Sequence, residues 1–594
     1  MLYAQFWPVN SDHKQTNDSS IVSKGSVERL YFPNETHFFH HFVKKPQRRS
    51  PLINRGYWLR MKAVDHVVRQ FLEKSPGKKK ALINLGCGYD PLPWQCLQRY
   101  PSASKDVVFI DIDYVALLEK KRKAVLTMTQ LNSMLTDIEV PEAGDILFRS
   151  KEYLQIGCDL RDLVGLQRSL ASTIDLEHTS ILFVAEVSIA YMDIQSADAL
   201  IKWAGRVPDS SFCLLEQILP NGTSHPFAKT MMDYFSSIQT PLRPAERYSS
   251  ASHQQARFED LGWSDVVARN LWELWGSADF LTPTERKNLD LVEPFDEWEE
   301  FALFGCHYVL LIADNLSSRD ASPASSTRRA TKPIKNLPHA GESLKAEISY
   351  AEYPKGQGFK RFASALPIRG LQPIHKTFGN FGGVGLVTRE NSMDVYGNDG
   401  NLPYVFDNSA NTPTPPSRMC HTSTDLGDCG TLLIGGRTSP DRGFSDCWLY
   451  HKSSGLWEQV QDLPNPRYRH QAVYLGNGYV LVSPGKSNSR VFGTEYLVWH
   501  RQTGWLNCDL GGSSSPPVSY GSVFSMNALD SKHDISTPRT GLFAGGVTEY
   551  GAVEESSWHW ELVGLAAGVG SPISLCRHIA RFMIEVNSGS VQMF

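Results

Sequence analysis

The chain has 594 residues, more than one hydrophobic core usually serves, so at least two domains are expected. Hydrophobic residues make up 41% and charged residues 21% of the sequence, which excludes a wholly disordered or fibrous chain. The formal net charge of −4 excludes general attraction to nucleic acid, so any such contact has to come from local basic patches.

The cysteines and the apolar runs of the sequence indicate where the protein is located and whether it contains disulfides, zinc sites or membrane spans. The ten cysteines lie singly and form no CxxC pair, which predicts neither a disulfide framework nor a structural zinc site and favours a reducing, cytoplasmic location. The first residues lack the basic start and apolar core of a secretory signal, and Glu186 interrupts the most apolar stretch. We predict no export signal and no membrane span.

Residues 80–220 alternate short apolar runs with polar, helix-like segments. Such runs, nearly continuous in apolar character, are typical of parallel strands that helices cover on both faces. We therefore predict an α/β, Rossmann-like domain over residues 1–315, with its ligand at the carboxyl ends of the strands. The predicted strands are ALINLG, VVFIDID, SILFVAEVSIAYM, SFCLLEQIL and, after them, CHYVLLIAD at 306–314.

A glycine loop follows the first of these strands, with Gly86 and Gly88 in the run NLGCGYDP. A dinucleotide-binding fingerprint needs a third glycine where this chain has Pro91, and a phosphate-binding loop needs Gly-Lys followed by Ser or Thr. Neither pattern is present. The loop suits an adenosyl ligand without phosphates, which the backbone can approach closely at glycine. A plain tight turn is the alternative.

Acidic residues end the successive predicted strands: Asp111 and Asp113, then Asp159, then Glu186. Carboxylates there can accept hydrogen bonds from ribose hydroxyls or an adenine amino group. Each by itself is as well explained as a helix N-cap, and Asp159 and Asp162 both suit that role. Several in order behind a glycine loop favour cofactor binding.

Residues 316–345 are rich in Ser, Pro and basic residues without apolar periodicity, which predicts a linker. Residues 346–594 change to short strands and glycine turns and contain a repeat near 50 residues long. Its landmarks are an Arg-x-x-His, a glycine turn, an aromatic strand and a Trp. They occur at Arg418–His421, Gly435-Gly436, Trp448 and Trp457, and again at Arg467–His470, Pro484-Gly485, Trp499 and Trp505, with weaker copies at Gly382-Gly383 and Gly545-Gly546.

This pattern resembles the kelch repeat, in which each copy forms one four-stranded blade of a β-propeller. Arg577-His578 is read as the opening of a further copy, so the last blade is expected to be incomplete. Either another terminus then closes the ring or the sequence record ends early, because an unfinished propeller leaves unpaired strand edges.

The first half resembles the leucine carboxyl methyltransferases, enzymes that esterify carboxylates with S-adenosylmethionine. The resemblance spans residues 14–312 and implies a class I methyltransferase fold. It is carried by the following motifs in order: TNDSSIVSK, INRGYWLR, NLGCGYDPLPW, FIDIDY, GCDLRD, AEVSIAYM, LLEQILP, RFEDLGW and RKNLDLVEPFDEWEEFALFGCHY.

The resemblance also implies roles for single residues. Lys24 and Arg60 are placed at the carboxylate of the methionyl part, where fixed cations are favourable. Tyr191 is placed at the reacting centre, with a buried aromatic of no catalytic role as the alternative. No metal is required, because a carboxylate is already ionised and nucleophilic at pH 7. The remaining implied cofactor contacts are Gly86, either Asp113 or Asp111 at the ribose, Asp159 and Leu160 at the adenine, and Glu186.

A propeller after such a domain is similar to one branch of the family, which acts in the synthesis of wybutosine, a modified guanosine beside the anticodon of phenylalanine tRNA. That branch implies methylation of the α-carboxyl group on the precursor side chain, then methoxycarbonylation of its α-amino group with carbon dioxide as co-substrate. It implies a tRNA partner and no DNA partner. Two alternatives stay open: a methyltransferase acting on the C-terminal leucine of a phosphatase subunit, and a non-catalytic kelch scaffold.

Overall fold

A computed structural model describes residues 16–43, 45–74, 78–315, 360–368, 377–384, 389–396, 404–405, 413–512, 518–526, 538–549, 554, 557–563 and 573–580. The chain divides into two compact units. One comprises Tyr3–Leu274 with Glu300–Lys355, and the other comprises Trp275–Glu299 with Gly356–Phe594 and the first two residues. The predicted linker at 316–345 lies outside the described residues.

The first unit contains an eight-stranded mixed sheet with the order β3-β4-β2-β1-β5-β6-β8-β7. Strands β4, β2, β1, β5 and β6 run parallel, while β3, β7 and β8 pair antiparallel with their neighbours. The strands are β1 (Lys79–Leu85), β2 (Val107–Asp113), β3 (Ile146–Arg149), β4 (Tyr153–Gly157), β5 (Thr179–Glu186), β6 (Ser210–Gln217), β7 (Asp265–Asn270) and β8 (Tyr308–Asn315). The predicted α/β class is confirmed.

Helices connect these strands, and those of the first unit pack on the sheet, whereas the helix Pro283–Val292 belongs to the second unit. The helices that the structure describes are α1 (Thr16–Tyr31), α2 (Pro51–Glu73), α3 (Leu92–Arg99), α4 (Val115–Thr127), α5 (Thr129–Asn132), α6 (Leu163–Ala171), α7 (Ile194–Ala204), α8 (Pro226–Ser237), α9 (Ala251–Asp260), α10 (Leu271–Gly276), α11 (Pro283–Val292) and α12 (Trp298–Cys306). The aspartates Asp162 and Asp193 cap α6 and α7, accepting the backbone N–H groups of Gly165 and Ser196 at 3.0 and 2.9 Å.

The parallel strands form the core because both of their faces are covered. Ile83, Ile112, Phe183 and Leu214 are completely buried, one in each of β1, β2, β5 and β6. Strand β1 pairs with β2 on one side and with β5 on the other, so the chain reverses its direction of winding between β1 and β5. Such a reversal opens a crevice at the carboxyl ends of the strands.

Glu216 on β6 is a buried carboxyl group with little compensation. Burial raises the pKa of Glu216 to about 7. The cation nearby compensates little, because Arg257 Nη1 lies 3.9 Å from Glu216 Oε2 and Arg257 Nε donates to Asp198 at 2.7 Å instead. The folded protein therefore keeps the Glu216 proton where the unfolded chain loses it. A raised carboxyl pKa makes the free energy of unfolding fall as the pH rises from about 4.3 to 7.

We expect Glu216→Gln to remove this loss of stability. Between pH 5 and pH 8, the free energy of unfolding of this unit in the variant should rise relative to the wild type by up to about 3 kcal/mol. Urea unfolding of variant and wild type at both pH values, followed by mass spectrometry of hydrogen exchange in the peptides of β5 and β6, measures the difference for this unit alone. The exposed Glu142 provides a control, because Glu142→Gln should follow the wild type at both values. Parallel pH profiles for Glu216→Gln and the wild type would contradict the assignment.

Within the described residues, the second unit contains four antiparallel sheets of four strands, as expected for propeller blades, and the last two of them join into one eight-stranded sheet through a parallel pair. Their strands are β9 (Ser364–Ile368), β10 (Thr377–Phe381), β11 (Met393–Tyr396) and β12 (Tyr404–Val405); β13 (Thr422–Asp425), β14 (Thr431–Ile434), β17 (Cys447–His451) and β18 (Leu456–Val460); β19 (Ala472–Gly476), β20 (Tyr479–Val482), β21 (Leu497–His500) and β22 (Gly504–Gly512); and β24 (Ser522–Ser525), β25 (Arg539–Ala544), β27 (Ser557–Val563) and β28 (Ile573–Ala580). The short strands β15 (Arg437–Ser439), β16 (Arg442–Gly443), β23 (Val518–Ser519) and β26 (Val547–Thr548) lie between them.

The predicted landmarks occupy equivalent places in these sheets. The glycine turns, Pro484-Gly485 among them, follow the second strand of each, and Trp457 and Trp505 lie in fourth strands. Four non-glycine residues just before the first strands have positive φ angles between 56° and 66°, which confirms that the sheets repeat one geometry. They are Phe362, Cys420, Arg469 and Tyr520.

The expected further copy at Arg577-His578 is wrong. Both residues lie inside β28, the fourth strand of the fourth sheet, which pairs with β27 and also, in parallel, with β22. An Arg-His pair in a fourth strand resembles the Arg-x-x-His that precedes a first strand, and sequence alone does not separate them. Residues 581–594 lie outside the described part, so the incomplete last blade stays a prediction.

The segment Trp275–Glu299 was predicted to belong to the α/β domain, yet its contacts group it with the propeller. The physical reason is Asp296, which is 1% exposed. Its carboxylate binds Arg437 and accepts a hydrogen bond from the Tyr520 hydroxyl, and its carbonyl accepts one from Arg469 Nη2 at 3.2 Å. Glu299 forms a second ion pair with Arg469.

Candidate functional site

A cavity of about 900 Å³ lies in the first unit, within the range of pockets that enclose small-molecule ligands. The carboxyl ends of β1, β2, β4 and β5 border it, which is where the sheet reverses its winding. Gly86, Asp113, Asp159 and Glu186 all line the cavity. The structure thus brings together residues that the sequence predicted from four separate strand ends.

The glycine loop forms the floor of the cavity at the end of β1. The backbone N–H of Gly86 donates to the Ile112 carbonyl at 2.9 Å, which fixes the loop against β2. Gly86 has φ of +71°, and a Cβ atom there would lie 2.6 Å from the Cβ of Ser188. Only glycine fits this position without displacing a neighbour.

A strained residue shapes the cavity beside the glycine loop. Val187, directly after β5, has φ of +51°, a conformation that β-branched residues rarely adopt. Its N–H donates to the Leu215 carbonyl at 2.8 Å, which holds the turn. The turn sends both Glu186 and Ser188 into the cavity lining, so backbone strain here serves the geometry of a site.

Lys24, Arg60 and Glu186 form a buried charge cluster in the cavity wall. Lys24 Nζ lies 2.7 Å from Glu186 Oε2, Arg60 Nη2 lies 2.9 Å from Oε1, and Lys24 also pairs with Asp90. Burial would raise the pKa of Glu186, but the two cations outweigh it and hold that pKa below its ordinary value. Likewise burial would lower the pKa of Lys24, and Asp90 with Glu186 raises it instead. All three groups are therefore ionised at neutral pH.

Asp111 and Asp113 have different surroundings. Asp113 lines the cavity, and its two oxygens accept the backbone N–H groups of Gly88 and Tyr114 at 2.8 and 2.7 Å. Asp111 is completely buried, bound to Lys121 at 2.7 Å and to the Tyr153 hydroxyl at 2.6 Å. Asp111 does not line the cavity, so the structure corrects its candidacy as a ligand-binding residue and leaves Asp113 in that position.

Asp159 and Leu160 line the cavity beyond β4. Arg161 binds the Asp159 carboxylate through Nε at 2.9 Å and through Nη2 at 2.5 Å, and this contact lowers the pKa of Asp159. Asp162 is the residue that caps α6. The alternative interpretation as a helix cap therefore holds for Asp162, whereas Asp159 is left at the cavity.

Tyr191 ends a short 3₁₀-helix, Ile189–Tyr191, and also lines the cavity. Its ring lies 6.1 Å from that of Phe235. Of the predicted site residues, the structure places Lys24, Arg60, Gly86, Asp113, Asp159, Leu160, Glu186 and Tyr191 around one cavity.

Two family models match the chain: leucine carboxyl methyltransferase over residues 17–205, and the β-propeller of tRNA wybutosine-synthesizing protein 4 over residues 415–586. A Saccharomyces cerevisiae protein named tRNA wybutosine-synthesizing protein 4 is 33% identical over 519 residues, covering 79% of this chain and 69% of that protein. A protein of that name in Eremothecium gossypii is 35% identical over 496 residues, covering 80% of this chain and 68% of that protein. The chain belongs to the tRNA wybutosine-synthesizing protein 4 family.

Other members of this family are longer than the chain. A Gibberella zeae protein of the same name is 44% identical over 556 residues, which cover 92% of this chain and 52% of that protein. The chain thus spans about half the length of such relatives. The predicted family and the predicted order of a methyltransferase domain followed by a propeller are confirmed.

A methyltransferase of this family implies S-adenosylmethionine as the methyl donor, and the residues present fit that ligand. Arg60 Nε, Ser188 Oγ and Gln217 Oε1 are buried, belong to lining residues and have no hydrogen-bond partner within the described residues. The Arg60 N–H group can donate a hydrogen bond to the carboxylate of the ligand, and the Ser188 and Gln217 oxygens can accept hydrogen bonds from its ammonium group. The Gly86 cradle admits a close approach of the ligand to the backbone.

Several cavity residues were missed by the sequence analysis. Tyr57 and Tyr308 lie under the Arg60 guanidinium, with ring centres 4.7 and 5.1 Å from its central carbon, and burial raises the pKa of Tyr308 to about 12. Asp90 stands in the quoted glycine motif, yet its pairing with Lys24 joins residues 66 positions apart. The hydrophobic pattern of the sequence does not indicate that Tyr57, Tyr308 and Asp90 contact Arg60 or Lys24.

In the described part of the chain, no helix is both long and apolar enough to cross a membrane. No group of three or more His, Cys, Asp or Glu side chains there has the arrangement of a metal site.

Proposed function

We propose that this protein transfers a methyl group from S-adenosylmethionine to the α-carboxylate on the side chain of a wybutosine precursor in phenylalanine tRNA. One observation carries the proposal: the cavity at the strand ends combines a glycine cradle with the ionised Lys24–Arg60–Glu186 cluster. Relatives that match most of the chain are named for wybutosine synthesis. We infer the acceptor from the names of those relatives, and we infer the binding site for the methyl donor from the geometry of the cavity.

Six residues of the cavity hold the donor. Arg60, with Lys24 beside it, binds the methionyl carboxylate, and Glu186 orients both cations by bonding each of them. Asp113 is held by two backbone N–H groups and accepts the ribose hydroxyls. Asp159 and Leu160 border the adenine. These assignments place charge complementarity where the ligand carries its own charges.

The bound donor supplies a methyl group on a sulfonium sulfur. The acceptor oxygen bonds to the methyl carbon while the bond from that carbon to sulfur breaks, and sulfur leaves as a neutral thioether. The chain need supply little acid or base, since a carboxylate is ionised at pH 7. Its contribution is alignment and exclusion of water, which is worth up to about 7–11 kcal/mol in well-oriented reactions. Tyr191, which lines the cavity, orients the acceptor.

We extend the proposal to a second reaction of the same cavity, methoxycarbonylation of the α-amino group. The neutral amine adds to carbon dioxide and loses a proton to solvent, which gives a carbamate. A carbamate oxygen then takes the methyl group of a second donor molecule, whose sulfur leaves as a neutral thioether. This step rests on the family resemblance.

The acceptor is tested by offering labelled S-adenosylmethionine with either tRNA that carries the precursor or a phosphatase catalytic subunit. We expect label in tRNA alone. Label in the phosphatase alone would overturn the tRNA assignment in favour of a protein carboxyl methyltransferase. The absence of donor binding would favour a non-catalytic scaffold.

We expect Tyr191→Phe to lower kcat for tRNA methylation roughly tenfold, the equivalent of one hydrogen bond of about 1.4 kcal/mol. The affinity for the donor should stay unchanged, because Tyr191 is assigned to the acceptor. Tyr248→Phe is the matched control, since the Tyr248 hydroxyl bonds Asp198 at 2.8 Å and does not line the cavity. Equal kcat values for Tyr191→Phe and the wild type would remove Tyr191 from the reacting centre.

A further inference from the structure

One wall of the cavity has no part in holding the donor. It is formed by helix α8, the segment after it and the 3₁₀-helix Ile189–Tyr191, and we call it the acceptor wall: Tyr191, Tyr234, Phe235, Gln239 and Arg243. Gln239 has φ of +61°, and the N–H of Thr240 donates to the Phe235 carbonyl at 2.9 Å. This tight turn redirects the chain from the helix along the cavity towards Arg243.

The backbone of Arg243 is fixed beside the reacting centre. Its N–H donates to the carbonyl of Ala190 at 3.1 Å, and Ala190 directly precedes Tyr191. Leu242 and Ala245, on either side of Arg243, are buried, whereas Arg243 itself is exposed and lines the cavity. The guanidinium thus extends from an anchored backbone at the rim of the cavity.

The charges of the lining side chains single out Arg243. Six basic side chains line the cavity: Lys24, Arg60, Arg99, Lys120, Arg161 and Arg243. Four of them form ion pairs with Asp or Glu. In the described part of the chain, Lys120 and Arg243 form none. Lys120 belongs to α4, which follows the ribose residue Asp113, so Arg243 is the cation on the Tyr191 side.

Aromatic side chains of the wall suit a planar acceptor. The rings of Tyr234 and Phe235 meet edge to face at 5.4 Å, and Phe235 lies 6.1 Å from Tyr191. Tyr234 is half-buried at the cavity, and an unstacked RNA base is commonly bound by stacking on such a ring, with arginine binding an adjacent anion.

We propose that the acceptor wall binds the modified nucleotide, with Arg243 paired to an anionic oxygen of the acceptor, either its carboxylate or a neighbouring phosphate. This inference rests on the proposed function, because it takes a modified nucleotide as the substrate. Arg243 is then a positioning residue for the acceptor and has no contact with the donor.

The test compares Arg243→Ala, Arg243→Lys and a control, Arg247→Ala, in the full chain. Arg247 is also exposed but does not line the cavity. Affinity for precursor-containing tRNA is measured by fluorescence anisotropy with S-adenosylhomocysteine present, and KM and kcat are measured for tRNA and for the free precursor nucleoside. We expect Arg243→Ala to weaken tRNA affinity and raise KM at least tenfold, Arg243→Lys to recover part of the loss, and donor affinity to stay constant.

The two acceptors identify the anion. A defect with both tRNA and free nucleoside supports the carboxylate, because the nucleoside has no phosphate. A defect with tRNA alone, together with a salt dependence reduced by about one ion, supports a phosphate. Wild-type affinity in Arg243→Ala, or an equal defect in Arg247→Ala, would overturn the inference. A wild type that binds tRNA through Arg243 without methylating it would overturn the proposed function alone.

Discussion

Gly86→Ala should weaken the binding of S-adenosylmethionine about 100-fold, a loss of about 2.7 kcal/mol. The added Cβ atom would stand 2.6 Å from Ser188 Cβ, and the residue would have to keep φ of +71°. Both penalties are relieved only if the glycine loop moves away from the Ile112 carbonyl that fixes it. Isothermal titration calorimetry with S-adenosylmethionine or S-adenosylhomocysteine measures the change.

Two further variants separate the steric clash from backbone strain. Gly222 also has a positive φ, +77°, but open space around its Cβ position, so Gly222→Ala should leave donor affinity unchanged. Combining Gly86→Ala with Ser188→Gly removes the clashing atom and should restore part of the affinity. Donor affinity within twofold of the wild type in Gly86→Ala would show that this loop does not hold the cofactor.

The largest effect on stability is expected at Asp296 in the propeller unit. Asp296→Ala leaves Arg437 buried without its carboxylate, while Arg469 keeps its ion pair with Glu299, and breaking a buried ion pair in this way costs about 3–5 kcal/mol. Hydrogen exchange measured by mass spectrometry on strands β13 to β22 should show opening free energies lowered by this amount. The local measurement is needed because a chain of two units does not unfold in one step.

The exposed Asp428 supplies the control, and Asp428→Ala should keep wild-type protection. Asp296→Asn keeps the hydrogen-bond acceptor for Tyr520 and should fall between wild type and Asp296→Ala. Burial alone would raise the pKa of Asp296, but the positive charges of Arg469, Arg437 and Lys486 outweigh burial and hold that pKa below its ordinary value. A depressed carboxyl pKa gives stability that is present above about pH 4 and is lost as the pH falls. Unchanged protection in Asp296→Ala would contradict this role.

Three of the five parallel strands, β1, β2 and β6, were predictable within two residues, because both faces of each are covered and this leaves a continuous apolar run in the sequence. The predicted run SILFVAEVSIAYM extends six residues past the end of β5, and β4 was not predicted. The predicted VVFIDID coincides with β2, and SFCLLEQIL begins one residue after β6 begins. The pairs that complete the site were not predictable. Lys24 and Glu186 lie 162 residues apart, and only the folded sheet and helix α1 bring them together.

Asp111 and Asp113 show the same limit at closer range. Two positions apart on a strand, they share a face, so the sequence gives no basis for choosing between them. The choice depends on where β2 ends: Asp113 is its last residue, whereas Asp111 still lies beneath helix α4 and binds Lys121. Similarly, the repeat predicted the sheets, but no periodic signal indicated that Asp296 belongs with the propeller.

The most direct test of the central claim is mass spectrometry of the nucleosides from precursor-containing phenylalanine tRNA after incubation with this protein and S-adenosylmethionine. With carbon dioxide removed, so that no carbamate forms, we predict that the precursor nucleoside gains one methyl group and loses it again in mild alkali, as a methyl ester does, and that Arg60→Ala abolishes the gain. An unchanged precursor, or a methyl group that survives alkali, would contradict carboxylate methylation of tRNA.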